Sequence, residues 1–270
     1  MLPGAKGSEM TDAPAGLAVR TQKRYGWRRD HPDMRDFLLA VEPLKSLPSK
    51  TSLRAQMPPV YDQGQLGSCT ANSVGAILEF NELKQKEPDA ATPSRLFIYY
   101  NERAMEGTVS QDSGAEIRDG IKSVAQLGAP PETYWPYVIS KFAQKPPAKA
   151  YAEARKHEAI RYARVTQSQV AIQTVLATGY PISFGFTVYE SFETDVGSNG
   201  IVPMPSPGEP TLGGHAVVAV GYKQIRGQLY FECRNSWGTG WGDHGYFWMP
   251  SAYVTSSSLA SDFWVIERVE

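Results

Sequence analysis

An α+β fold in two lobes is what this sequence predicts. Apolar residues at helical spacing fill the stretch from Cys69 to Leu127, while apolar runs of strand length fill the part after residue 160. Residues able to do chemistry fall in both parts: Cys69 in the first, His215 and Asn235 in the second. A chain of 270 residues is long enough to bury one large core or two packed lobes. Its formal net charge of −1 and the absence of a Lys/Arg-rich block argue against nucleic acid or an anionic membrane surface as a partner. No apolar run is long enough to span a bilayer.

Residues 1–9 precede a second methionine, Met10, and read as an expression remnant or a loose tail; residues 11–24 mix Ala, Pro, Gly and charge without a period and read as a flexible lead-in. Residues 25–37 differ in kind. Tyr25, Trp27 and Phe37 stand among charges as three aromatic anchors, so this piece is expected to dock on the protein. Residues 43–59 carry four prolines and read as an extended connection. The expected division is an N-terminal extension over 1–46 and a single domain over 47–270, with a helical lobe mainly at 60–150 and a sheet lobe mainly at 160–270.

Cys69 to about Lys86 reads as a buried central helix, with Ala71, Val74, Ile77, Leu78, Phe80 and Leu83 spread over a broad face. A second helix is expected from Thr92 and Pro93, as N-cap and first helical residue. A third runs from about Ala115 to Leu127 and stops at Gly128. Prolines from Pro130 to Pro147 mark an irregular crossover, followed by a charged helix near 148–158. Strands are expected at 160–166, 181–189, 215–222, 228–235, 245–249 and 263–266, with one helix near 168–178.

Cys69 follows Gly67-Ser68 at the mouth of its helix, a reactive setting for a thiol. A free cysteine has a pKa near ~8.5, and pairing with histidine brings such thiols to roughly 3–4, a differential of about 7 kcal/mol. A helix N-terminus supplies only about 0.3–2 kcal/mol. An imidazolium must carry most of the difference, and His215, in Gly213-Gly214-His215, is the candidate. Asn235 can accept from one imidazole N–H and turn the other nitrogen to the sulfur; Trp237 can lie over that bond and exclude water. Gln63 and the backbone N–H of Cys69 can together hold an oxyanion. Cys233, on the inward face of a strand, reads as a core residue. His31, His157 and His244 read as surface residues, and no spacing of ligand types indicates a metal or other cofactor.

At these residues the chain resembles a papain-family cysteine protease. The resemblance rests on Gln63-Gly64, Gly67-Ser68-Cys69, His215-Ala216-Val217, and Asn235-Ser236-Trp237-Gly238 with Gly240-Trp241-Gly242 beyond it. His215 follows Cys69 by 146 residues, within the roughly 130–150 of that family. The resemblance implies a papain-like two-lobed fold, a helical lobe and an antiparallel sheet or barrel lobe with the active-site cleft between. It implies a thiol peptidase working through an acyl-enzyme on a peptide or protein substrate. It further implies that Gly114 and Ala115 form the substrate-binding edge, that Ile117 and Ala216 line the main specificity pocket with Gly185 opening it, and that Trp237 borders the site. An apolar residue two before the scissile bond is expected there.

Two departures stand out. Leu66 and Thr70 occupy positions where the family has Cys and Trp, and Leu66 removes half of a disulfide; Asp112 stands near the position of the partner. Two cysteines make no disulfide framework, and the first 45 residues show no signal-peptide core, so cytoplasmic residence is expected, with a non-standard export route as the alternative. The long helical pro-segment of the family is not found; residues 10–46 are expected to lie over the cleft as a shorter one. Two other readings fit the same residues: a different Cys–His acyltransferase or amidase, and an inactive binding module on the same fold.

Overall fold

The computed structural model describes residues 25–40, 42 and 44–270. The tail over 1–9 and the lead-in over 11–24 lie outside the described residues. In chain order the elements are β1 (Trp27–Arg28), β2 (Thr51–Ser52), α1 (Cys69–Gln85), α2 (Arg95–Met105), β3 (Ala115–Glu116), α3 (Ile117–Gln126), α4 (Ala148–Ala154), β4 (Ala159–Arg164), α5 (Gln169–Ala177), β5 (Ile182–Tyr189), α6 (Glu190–Asn199), β6 (Thr211–Ile225), β7 (Gln228–Arg234), β8 (Tyr246–Pro250), α7 (Ser251–Val254) and β9 (Ala260–Val269).

Seven strands form one sheet in the order β4-β9-β5-β6-β7-β8, with β2 pairing on β6. Every pair in it is antiparallel. Strand β6 is the spine. Its first half pairs with β5, placing His215 opposite Phe186 and Ala216 opposite Gly185. From Val218 onward it pairs with β7, with a register shift between Ala219 and Gly221. A bulge of this kind bends the strand and lets the sheet curl around its own core. That core holds Phe184, Phe186, Phe192, Phe231, Phe247 and Trp241. A second core gathers α1, α2 and α3 against the other side of the sheet, around Val74, Ile77, Phe80, Phe97, Ile121 and Trp264.

Helix α1 is buried from Cys69 to Glu82, as its broad apolar face requires; only near its end does Leu83 emerge, 46% exposed. Helix α2 starts later than the Thr92-Pro93 signal indicates. Ser94 is its N-cap, accepting from Phe97 N at 3.2 Å and donating to the Trp135 carbonyl at 2.5 Å. A hydroxyl that satisfies two backbone groups at once outcompetes the Thr92 cap. Helix α3 begins at Ile117, because Ala115 and Glu116 are drawn into strand pairing with β1. The connection over 43–59 contains β2, recruited by Gly221 and Tyr222 of the spine.

Two sequence expectations fail. His157 is buried, 5% exposed, not on the surface; its Nδ1 lies 2.9 Å from Glu82 Oε1 on α1. The Glu82 carboxylate raises its pKa by hydrogen bonding, against burial, and a partner four elements away leaves no local signal. Phe37 is not an anchor: it is 72% exposed, and its contribution is backbone, with its carbonyl accepting from Arg164 N at 2.8 Å. His31 and His244 are exposed as expected.

Candidate active site

Cys69 opens α1 and has no exposed surface. Its sulfur takes backbone hydrogen bonds from Ala216, the residue after His215, and from Gly26. The early sulfur and the late strand therefore meet. His215, also fully buried, sets Nε2 at 2.8 Å from Asn235 Oδ1. The Ser236 backbone N–H donates to the same oxygen at 2.8 Å. Two donors on one atom fix it as the carbonyl side of the amide, so Nε2 carries a hydrogen. Trp237 stacks on the imidazole, with ring centroids 4.7 Å apart and planes at 30°. The imidazole is thus bonded to the Asn235 amide and covered by the Trp237 indole.

Gln63 is buried and held at both ends of its amide. Nε2 donates to the Leu66 carbonyl at 2.9 Å, and Oε1 accepts from Ser236 Oγ at 2.6 Å. Backbone bonds from Gln63 N to Ser236 O and from Gly238 N to Tyr61 O tie its loop to the Asn235–Trp237 turn. The amide is fixed from the opposite lobe, which the sequence does not reveal.

The Leu66 and Thr70 departures have structural partners. Leu66 is buried. Asp112 accepts from Gly67 N at 3.0 Å and from the Tyr99 hydroxyl at 2.5 Å, pinning the loop before Cys69 by hydrogen bonds. Thr70 Oγ1 donates to Glu102 Oε1 of α2 at 2.7 Å; burial pushes the Glu102 carboxyl well up. Both cysteines are free thiols.

The expected substrate edge is occupied by the chain itself. Strand β1 pairs parallel with β3, Trp27 beside Ala115, and the Gly26 carbonyl accepts from Ala115 N at 2.8 Å. Gly26 is so close to the Gly67 and Gly114 backbones that a Cβ on it would overlap Gly67 O. The Trp27 indole, 8% exposed, lies against Gly185 and Gly214, where side chains would collide with it. Ile117 and Ala216 are buried in the same core cluster as Trp27. Tyr25 reaches the other side of Cys69, with its ring 5.9 Å from His215 and 6.1 Å from Trp237. Gly114, Ala115, Gly185 and Trp237 are therefore all in contact with residues 25–27, and Gly214 joins them unanticipated.

The segment is tied down by hydrogen bonds and ion pairs. Asp30 takes hydrogen bonds from Arg164 Nη2 at 2.6 Å, Trp264 Nε1 at 2.9 Å and Arg118 N at 3.1 Å. Asp36 bridges Arg118 and Arg164, while Arg28 pairs with Glu106 and His31 with Glu116. Under this cover the Cys69 thiol is not depressed to the range an open Cys–His pair gives. Burial pushes it up to about 12, against the backbone hydrogen bonds from Ala216, Gly26 and Thr70. Desolvation of the thiolate is the physical reason for that difference.

Among the described residues no group of His, Cys, Asp and Glu could hold a metal ion, and no helix is long and apolar enough to cross a membrane. Residues 47–264 match the papain family of cysteine proteases. The peptidase C1-like protein L477 of Acanthamoeba polyphaga mimivirus is 40% identical over 276 residues, covering 92% of this chain and 88% of that one. The crystal structure of xylellain, a cysteine protease from Xylella fastidiosa, superposes with a TM-score of 0.85 at 41% identity, over 95% of this chain and 100% of that one. Digestive procathepsin L 3 of the Tenebrio molitor larval midgut shares the fold at 19% identity, with a TM-score of 0.66 over 84% of this chain and 73% of its own. A buried cysteine at a helix start, an Asn-held and indole-covered histidine, and a match spanning both lobes lead to one assignment: the chain belongs to the papain family of cysteine proteases and is a cysteine-type peptidase.

Proposed function

We propose that Cys69, His215, Asn235 and Gln63 do the chemistry and that residues 25–30 hold the enzyme latent in the form described. In the open form the Cys69 sulfur attacks the substrate carbonyl carbon. The oxyanion takes hydrogen bonds from the Gln63 amide and the Cys69 N–H. His215 passes a proton to the leaving amine, giving a thioester, and then draws a proton from water to hydrolyse it. Asn235 keeps the ring in the tautomer that does this. Ile117, Gly185, Gly214 and Ala216 receive the side chain two before the scissile bond, and the indole of Trp27 in that place argues for a large apolar or aromatic residue.

The observation that carries the latent state is the Gly26 backbone lying on Cys69. The direction of the segment makes it a poor substrate. A substrate with its acyl side in the Trp27 pocket and its leaving amine at His215 runs from the Trp27 position to the Tyr25 position. Residues 25–27 run the other way.

Because a side chain at Gly26 has no room in the docked state, Gly26→Leu in the full-length chain opens the cleft. Iodoacetamide at pH 6 is expected to label Cys69 slowly in the wild type and stoichiometrically in Gly26→Leu, which should also hydrolyse an aromatic-containing fluorogenic amide. Equal labelling of both chains would sink the latent reading. Hydrolysis surviving Cys69→Ala in the Gly26→Leu chain would sink the nucleophile.

A further inference from the structure

We infer that Glu193 selects the residue on the leaving-group side of the scissile bond, favouring side chains that donate hydrogen bonds or carry positive charge. This rests on the roles given above to Cys69 and His215. The leaving amine must face His215, so the residue that follows the scissile bond lies over His215 and Trp237. That position is held by the Tyr25 ring, edge-on to His215 at 5.9 Å and tilted over Trp237 at 6.1 Å. The Tyr25 hydroxyl donates to Glu193 Oε1. The segment thus displays what this side of the cleft accepts: a flat apolar body on the Trp237 floor and a donor at its tip on a carboxylate.

Glu193 stands on a fixed support. It lies in the first turn of α6, directly after Phe192, whose ring is 1% exposed. That ring packs against Trp237 at 5.8 Å, Trp241 at 5.6 Å, Phe186 at 5.1 Å and Phe247 at 5.4 Å. The start of the helix is tied to the chain ahead of β6: Glu190 N donates to the Pro210 carbonyl and Ser191 N to Glu209 Oε1 at 2.7 Å. The indole covering His215 therefore also sets the place of the carboxylate. When Tyr25 leaves, Glu193 faces the vacated position, and a lysine, arginine or tyrosine reaching over Trp237 meets it. A glutamate there meets like charge.

The test uses the full-length Gly26→Leu chain and the peptides acetyl-Trp-Gly-X-amide, with X as Lys, Tyr or Glu. Affinities are measured with Cys69→Ala added, so that no turnover intervenes. Lys and Tyr peptides are expected to bind about fivefold tighter than the Glu peptide, the size of a partly exposed ion pair. E193Q, which keeps an acceptor for Tyr, is expected to erase the difference between the Lys and Glu peptides, and E193K to invert it. One ranking common to all three chains, or no dependence on X in the Glu193 chain, overturns the inference. Release of aminomethylcoumarin from acetyl-Trp-Gly-aminomethylcoumarin by Gly26→Leu reports the peptidase roles alone, since that leaving group carries no side chain for Glu193 to read.

Discussion

Gln63 is proposed to serve in two capacities at once. Its amide is assigned to the oxyanion, and the same amide satisfies the Leu66 carbonyl and the Ser236 hydroxyl. Gln63→Ala in the opened chain should lower kcat roughly 100- to 1,000-fold, as loss of an oxyanion donor does. It should also cost about 1–3 kcal/mol in denaturant unfolding, because buried polar atoms lose their partner. Asn235 is proposed to act only through His215, so Asn235→Ala should retain more activity than His215→Ala; steady-state kinetics on both variants checks the order. Away from the site, His157 supplies a pH signature. Its pKa is raised by Glu82, so its contribution to stability is full below the unfolded value of ~6.5 and is lost as pH rises through the raised one. The stability gap between wild type and His157→Phe should therefore narrow as pH rises above ~6.5 in urea titrations.

At the scale of elements, the docked β1 segment has a pH dependence with an unexpected sign. Burial, then the neighbouring Asp262 carboxylate, raises Asp30 to about 7, whereas an aspartate on a released segment titrates near ~3.9. The docked state thus takes up a proton more readily between those values, and docking strengthens as pH falls from 7 towards 4. Burial pushes Asp36 up as well, but hydrogen bonds from Arg118 and Arg164 outweigh it and leave it lowered. Its support is present above ~3.9 and disappears only in stronger acid. Mild acid alone should therefore not open the cleft: the Cys69 labelling rate of the wild type, relative to Gly26→Leu, should not rise from pH 7 to pH 5.

Across the whole molecule, the segment is both cover and core. Trp27 belongs to the same buried cluster as α1 and Trp264, and Asp30 links the α3 start to β9 through Arg118 N and Trp264. Replacing a buried Trp by Ala costs about 3–5 kcal/mol, here mainly at the expense of docking. Trp27→Ala should speed Cys69 labelling at least roughly tenfold while lowering the thermal midpoint by a few degrees, measured by mass spectrometry and calorimetry on one sample. Labelling that stays slow would mean that the Asp30 and Asp36 contacts hold the segment without the indole.

The sequence by itself determined the two-lobed α+β class and the run of helices before strands, and it supplied Gln63, Cys69, His215 and Asn235 as the residues proposed to do the chemistry. Those features live in local periodicity and in motifs whose residue types the chemistry requires, and both are written along the chain. It did not carry the start of α2, where a hydroxyl binding two backbone groups displaced a local cap, nor α6, whose turn is secured by Phe192 in a distant aromatic cluster. It gave the wrong side for His157 and Phe37, since burial depends on what arrives from elsewhere. Tertiary structure alone decided the state of the sulfur. Whether Cys69 is a thiolate or a covered thiol depends on how much water and charge surround it, and in the structure the backbone of Gly26, upstream in the same chain, adds to that cover.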